Sequence, residues 1–160
     1  MKDSTRTTLA DGRRISKDSS IAHAIGVLDE ANAFIGLAKV HARCEDVRES
    51  LETLQKMIFK IGSEFSGASK VDEKDYDKLM QFVKNFENKV KKPKKFVILE
   101  KDESTAFLSV ARVVVRRAER YAVRLYREGL VSMLLVEWLN KLNYLLYLMI
   151  LREGKNFNEV

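Results

Sequence analysis

Ala111-Arg112-Val113-Val114-Val115-Arg116-Arg117-Ala118-Glu119-Arg120 sorts its side chains into three stripes when wound at helical spacing. Extended both ways, Phe107, Val110, Val114, Ala118, Tyr121 and Leu125 share one side and read as a core face. Arg117, Arg120, Arg124 and Arg127 share a flank open to water. Arg112, Arg116 and Glu119 form a third stripe, roughly opposite the core face and bordered by Val115 and Val123. A guanidinium stripe edged by valines is expected to be covered by a partner or ligand; the alternative is an amphipathic helix with arginine on its outer side.

Outward from this helix, the chain reads as helix on both sides. Gly129 supplies C-cap chemistry, and Val131 to Arg152 follows, apolar nearly all round except for Glu137, Asn140, Lys141 and Tyr144 on one face. A buried Asn140 would need to bridge helices or hold a ligand. Upstream, Asp102, Glu103 and Ser104 offer a start for the arginine helix. Before them come the short apolar segment Phe96-Val97-Ile98-Leu99 and a lysine-rich turn, Lys89 to Lys95 around Pro93. An aromatic in such a loop is ordinarily a core plug, and a run of lysines a solvated turn. Further helices are expected at about Ser20 to His41, Asp46 to Phe65 and Val71 to Val90.

Five helices, no convincing strand and short connections predict an all-α, five-helix up-and-down bundle. It forms a single domain: an extended, donor-rich segment over 1–18, the bundle over 19–152 and a loose tail over 153–160.

Composition agrees. The 160 residues are 46% apolar and 32% charged, with seven Gly and one Pro, which fits a compact helical protein. The single cysteine, Cys44, excludes an internal disulfide and a multi-cysteine zinc site. A net charge of +6 leaves anionic partners open. Met1 to Ser20 lacks an apolar run, so no secretory leader is expected and the chain reads as cytoplasmic. The apolar Val131 to Leu151 segment is long enough to span a bilayer but carries Glu137, Asn140, Lys141 and Asn143, so it reads as a buried helix with no membrane partner.

The first helix carries a seam of small residues, Ala22, Gly26, Ala33 and Gly36, with Asp29 in its middle. Each glycine inside a helix costs about 1 kcal/mol relative to alanine, so a close neighbour is expected there. An ionised Asp29 at such a contact calls for a cation, with Arg112 or Arg116 the candidates; otherwise it lies at the wet edge of the seam.

Much chemistry is excluded. His23 and His41 are the two histidines, and Ser20 and Ala38 stand three positions before them, so the Glu-x-x-His pairs of ferritin-like di-metal bundles are missing. No protein metal ligands, phosphate-binding G-x-x-x-x-G-K-[ST] loop or nucleophile–base pair can be assigned. An enzyme built from these residues would position substrates and neutralise charge.

Four pieces, in order, resemble the PduO-type ATP:cob(I)alamin adenosyltransferases. Arg14-Ile15-Ser16-Lys17-Asp18 is similar to R-V-S-K-D, and Gly26 to Gly36 to G-T-V-D-E-L-N-x-x-I-G. Ala111 to Arg120 is similar to A-R-x-V-x-R-R-A-E-R, and Leu139-Asn140-Lys141-Leu142 to L-N-R-L. The resemblance implies a homotrimer with active sites between subunits. There the adenosyl group of ATP, bound with Mg²⁺, passes to the cobalt of reduced cobalamin and triphosphate leaves. It implies that Thr7, Lys17, Arg116, Glu119 and Asn140 hold ATP. Asp29 and Arg112 would pair at the corrin side and the interface, and Phe96 would fill the lower axial side of cobalt. Phe96, Arg116, Asp29 and Arg112 are thus the implied catalytic set. A cobalamin reductase or an acceptor enzyme would work alongside.

The chain also departs from the pattern. The family's glycine-containing T-G-D-x-G-x-T loop is replaced by Met1 to Thr7, P-G-G by Leu99-Glu100-Lys101, and a Ser-Asp pair by Asn143-Tyr144. Two other readings therefore stand beside the first. One is a catalytically reduced cobalamin- or nucleotide-binding bundle of the same fold. The other is a basic bundle gripping nucleic acid through Lys89–Lys95 and the Arg117–Arg127 flank, which lacks a reading motif, so nucleic acid is not expected as a partner.

Overall fold

The computed structural model describes residues 3–158 and 160; Met1, Lys2 and Glu159 lie outside them, and with them the first two residues of the altered amino-terminal loop. Two short strands, β1 (Arg6–Thr8) and β2 (Arg14–Ser16), precede five helices: α1 (Ser20–His41), α2 (Glu45–Phe65), α3 (Glu73–Glu87), α4 (Glu103–Arg127) and α5 (Met133–Gly154).

The helix boundaries follow from capping. Ser19 caps α1 by accepting from the Ala22 amide. Asp72 and Asp102 each close a reciprocal capping box, with Asp75 and Thr105 respectively. Ser132 accepts from the Leu135 amide at 3.2 Å. Gly129 ends α4 as expected: at φ +74° it lets its own amide reach the Tyr126 carbonyl and the Leu130 amide reach Leu125.

α4 lies at the centre, packed against α1 on one side and α5 on the other, while α2 leans on α1 and α3 on α5. This position explains where the predicted core face of α4 was wrong. Two faces are covered, so Leu108, Ala111, Val115 and Ala122 are buried along with Val114, Ala118 and Leu125. Val110 is left partly exposed, and Phe107 and Tyr121 are half-buried at the rim, against His41 and His23 respectively. α5 is buried along most of its length, with Trp138 fully enclosed and its indole N–H donating to the Asp75 carbonyl at 3.2 Å. α1 and α5 are each long and apolar enough to cross a bilayer, yet both serve as packed helices of the bundle.

Two buried carboxylates tie the ends together. Glu153 accepts from the Arg43 and Cys44 amides at 3.1 and 2.8 Å and from the Ser104 hydroxyl at 2.9 Å, joining α5 to the α1–α2 turn and the start of α4. Glu64 accepts from the Val71 and Ser132 amides, both at 2.6 Å.

Two expectations are corrected. The amino-terminal segment is a β-hairpin, with Thr7 opposite Ile15 and Gly12 at φ +88° in the turn. Its sequence signal was Asp11-Gly12 between β-branched Thr7, Thr8 and Ile15. The end of the chain is anchored rather than loose: the Ile98 amide donates to the Asn158 carbonyl at 3.3 Å and the Val160 amide to that of Phe96 at 2.9 Å.

Candidate functional site

The residues singled out from the sequence fall into five places. On the hairpin, Asp3, Ser4, Arg6, Thr7, Thr8 and Arg14 line a pocket of about 440 Å³. The Thr5 hydroxyl and amide both donate to Asp3, and these bonds, aided by Arg6 and Lys17, hold its carboxyl below the usual range. Lys17 continues the hairpin, its amide bonded to the Thr5 carbonyl at 2.9 Å. Cations and hydroxyls around one hollow suit a polyphosphate.

Between α4 and α5, Glu119, Glu137, Asn140, Lys141, Val136 and Tyr76 line a second pocket of about 400 Å³. The Asn140 amide donates to Glu119 Oε1 at 3.0 Å, which joins two residues that the sequence placed on separate helices. Asn140 is exposed, not buried; it lies at the groove mouth because α5 turns this one polar line away from the core. Arg116, one turn before Glu119, is also exposed.

Arg112 is different. It is half-buried, and its Nε is enclosed with no hydrogen-bond partner. Burial, together with the neighbouring Arg116 cation, pushes its pKa down, against a weaker pull from Glu100. A desolvated guanidinium in this state wants an anion. Asp29 does not supply it within one chain: Asp29 is exposed at a groove of about 220 Å³ between α1 and α2, near Asn32, Phe59 and Gly62. The buried Asn32 Oδ1 likewise lacks a partner.

Within the chain, the cation that binds α1 is Arg117, paired with Glu30. Arg117 belongs to the flank expected to be open to water, yet its Nε is buried. The pair was recoverable from the sequence only with the knowledge that α1 and α4 are neighbours. The small-residue seam is also only partly covered. Gly36 meets the Gln55 side chain, whereas Gly26 has nothing within 4 Å of where a Cβ would stand. Ala22, Ile25 and Gly26 instead line an apolar hollow with Thr7, Leu9 and Ile15 of the hairpin.

Phe96 is not a core plug. It is 90% exposed, because the extended segment turns Val97 and Leu99 inward and Phe96 and Ile98 outward. The departures from the family pattern have local partners. The Lys101 ammonium donates to the Gly154 and Asn156 carbonyls at 3.3 and 2.6 Å, and the Tyr144 hydroxyl to Glu87 at 2.7 Å.

The family model described as Cobalamin adenosyltransferase matches residues 1–153. The chain belongs to this family. Among its cobalamin adenosyltransferase relatives, the Corrinoid adenosyltransferase of Citrobacter freundii is 32% identical over 133 residues, covering 78% of this chain and 76% of the relative. The Corrinoid adenosyltransferase PduO of Salmonella typhimurium is 29% identical over 153 residues, covering 91% of this chain and 46% of that longer protein. In fold, the chain matches a variant PduO-type ATP:corrinoid adenosyltransferase from Lactobacillus reuteri complexed with cobalamin and ATP. The TM-score is 0.81 at 21% identity, with 99% of this chain and 94% of that one covered.

Proposed function

We propose that this chain transfers the 5′-deoxyadenosyl group of ATP to the cobalt of a reduced corrinoid, forming adenosylcobalamin and releasing triphosphate. The observation that carries the reading is the Asn140–Glu119 bond at the α4–α5 groove, with Arg116 one turn away, in a chain matched along 1–153 by the adenosyltransferase family model. The substrate's cobalt(I) donates the electron pair that forms the cobalt–carbon bond to C5′. The C5′–O bond breaks, and its electrons leave with triphosphate. No protein nucleophile is required.

The residues of the chain bind and neutralise. Thr7, Lys17, the hairpin cations and Arg116 take the triphosphate, and Glu119 and Asn140 hold ATP beside it. Mg²⁺ fits as an ion carried on the phosphates, with Glu119 the carboxylate at hand, since no group of three His, Cys, Asp or Glu side chains able to cage a metal occurs among the described residues. Bound there, it would offset charge on the leaving triphosphate. Phe96 presents an apolar face to the lower side of cobalt and keeps ligands off it.

The hairpin and the α4–α5 groove share no pocket-lining residue, so in this reading a site is completed by a second copy of the chain. The open stretch of the α1 seam and the unpartnered Arg112 support a homotrimer in which Asp29 of one copy answers Arg112 of the next. Such an enzyme acts in the cytoplasm beside a corrinoid reductase or an acceptor enzyme.

The test supplies ATP, Mg²⁺ and chemically reduced cobalamin to the purified chain and follows the light-sensitive cobalt–carbon product. Arg116→Ala should abolish turnover and leave the helical signal unchanged. Full activity in that variant, or no product from the unaltered chain, would overturn the reading.

A further inference from the structure

The lysine-rich turn after α3 and the end of α5 enclose a pocket of about 410 Å³, within the roughly 300–1,000 Å³ range of small-molecule sites. Lys91, Lys92, Lys94 and Lys155 line it above an apolar floor that includes Val97 and Phe157. No acidic side chain lines it among the described residues. Lys92 is engaged, 3.5 Å from Glu87 and over the Tyr144 ring. Lys91, Lys94 and Lys155 have no carboxylate partner among the described residues.

A solvated turn does not need the fourth lysine, which comes from another element and is held there at a cost. Lys155 has φ +58° and ψ −70°, and the Asn156 amide donates to the Gly154 carbonyl at 2.8 Å, a γ-turn that is rare and strained for a residue with a side chain. The Phe157 ring covers Gly154 so closely that no Cβ would fit there. Lys101 grips the same turn through the Gly154 and Asn156 carbonyls. The bonds from Ile98 to Asn158 and from Val160 to Phe96 lock this assembly to the Phe96 segment.

The pocket therefore lies on the inward side of the segment whose outward side carries Phe96. A corrinoid whose lower axial base has been displaced by Phe96 must put its nucleotide loop somewhere nearby. That loop carries one phosphodiester anion joined to a ribose and an apolar base, which matches unpaired ammonium groups beside an aromatic floor. We propose that this lysine pocket receives the phosphodiester of the corrinoid's displaced nucleotide tail, an inference that rests on the adenosyltransferase reading above.

The experiment compares cobalamin with cobinamide, which has the corrin ring but no nucleotide loop, in the unaltered chain and in the triple variant Lys91→Ala, Lys94→Ala, Lys155→Ala. All three side chains are exposed, so the variant is expected to fold. Its KM for cobalamin should rise about tenfold as charge-assisted contacts are lost. KM for cobinamide and for ATP should not move. Added salt should raise the cobalamin KM in the unaltered chain and have little effect in the variant.

An unchanged cobalamin KM, or an equal loss on both corrinoids, would overturn the proposal. Inorganic tripolyphosphate addresses the other source of phosphate. If its inhibition is relieved in the variant while the cobalamin-to-cobinamide ratio stays fixed, the pocket serves the leaving group and the tail assignment is wrong. Should neither corrinoid be adenosylated, the proposed activity fails. Equilibrium dialysis of the two corrinoids against both proteins would still test the pocket by the same tenfold difference.

Discussion

Replacing Phe96 with alanine should leave the bundle as stable as before and cripple turnover. At 90% exposure the ring contributes little to the folded chain. A phenylalanine offers on the order of 200 Å², so about 20 Å² is in contact, worth about 0.5 kcal/mol at 25 cal/mol per Å². In a protein of this size that is a shift of roughly 1–2 °C in Tm. Pressed against a corrin face, about half of the remaining surface would be covered, near 90 Å², or about 2 kcal/mol and a factor of about 30 in corrinoid affinity. Readmission of an axial ligand to cobalt lowers kcat on top of this. Thermal unfolding gives the stability arm. Corrinoid KM, kcat and the visible spectrum of ATP-bound cobalt(II) enzyme give the functional one. A Tm loss above about 5 °C, as for a core aromatic, or unaltered turnover, would refute the reasoning.

Asn140→Ala removes the bond to Glu119 at the groove and should raise the KM for ATP with little change in the KM for corrinoid; steady-state kinetics in both substrates decides it. Glu153→Ala leaves two backbone amides, a hydroxyl and the Arg43 guanidinium without their shared acceptor. It should cost about 3–5 kcal/mol in urea unfolding, with kcat near normal in whatever remains folded. For Asp46, burial alone would raise the pKa, but hydrogen bonds from Lys89 and Arg152 at 2.9 and 3.1 Å outweigh it and hold the carboxyl below its ordinary 3.8. Its contribution to stability is therefore fully present above that value and is lost as pH falls through the lower folded pKa. Tm measured against pH should fall less steeply below about pH 4 in Asp46→Asn than in the unaltered chain.

Helix existence and type were legible in the chain because burial imposes its period on the choice of residues, and because caps such as Asp102 and Gly129 act within a few positions. The pairing of α1 with α4 was not legible, so the core face of α4 was placed one strip away from where two neighbours bury it. The hairpin was missed although Asp11-Gly12 announced it, since three-residue strands carry too little alternation to stand out.

By itself, the sequence determined that five helices must share one core, and that Lys17, Asp29, Phe96, Arg112, Arg116, Glu119 and Asn140 stand in the order and spacing of one family. Only the tertiary structure decided which of them meet. It joined Asn140 to Glu119, set Asp29 and Arg112 apart without a shared bond, turned Phe96 outward and brought Lys155 from the end of α5 to the lysine turn. The reason is physical: helical periodicity is set by neighbours three and four positions away, whereas a meeting between helices depends on how whole faces pack across the bundle.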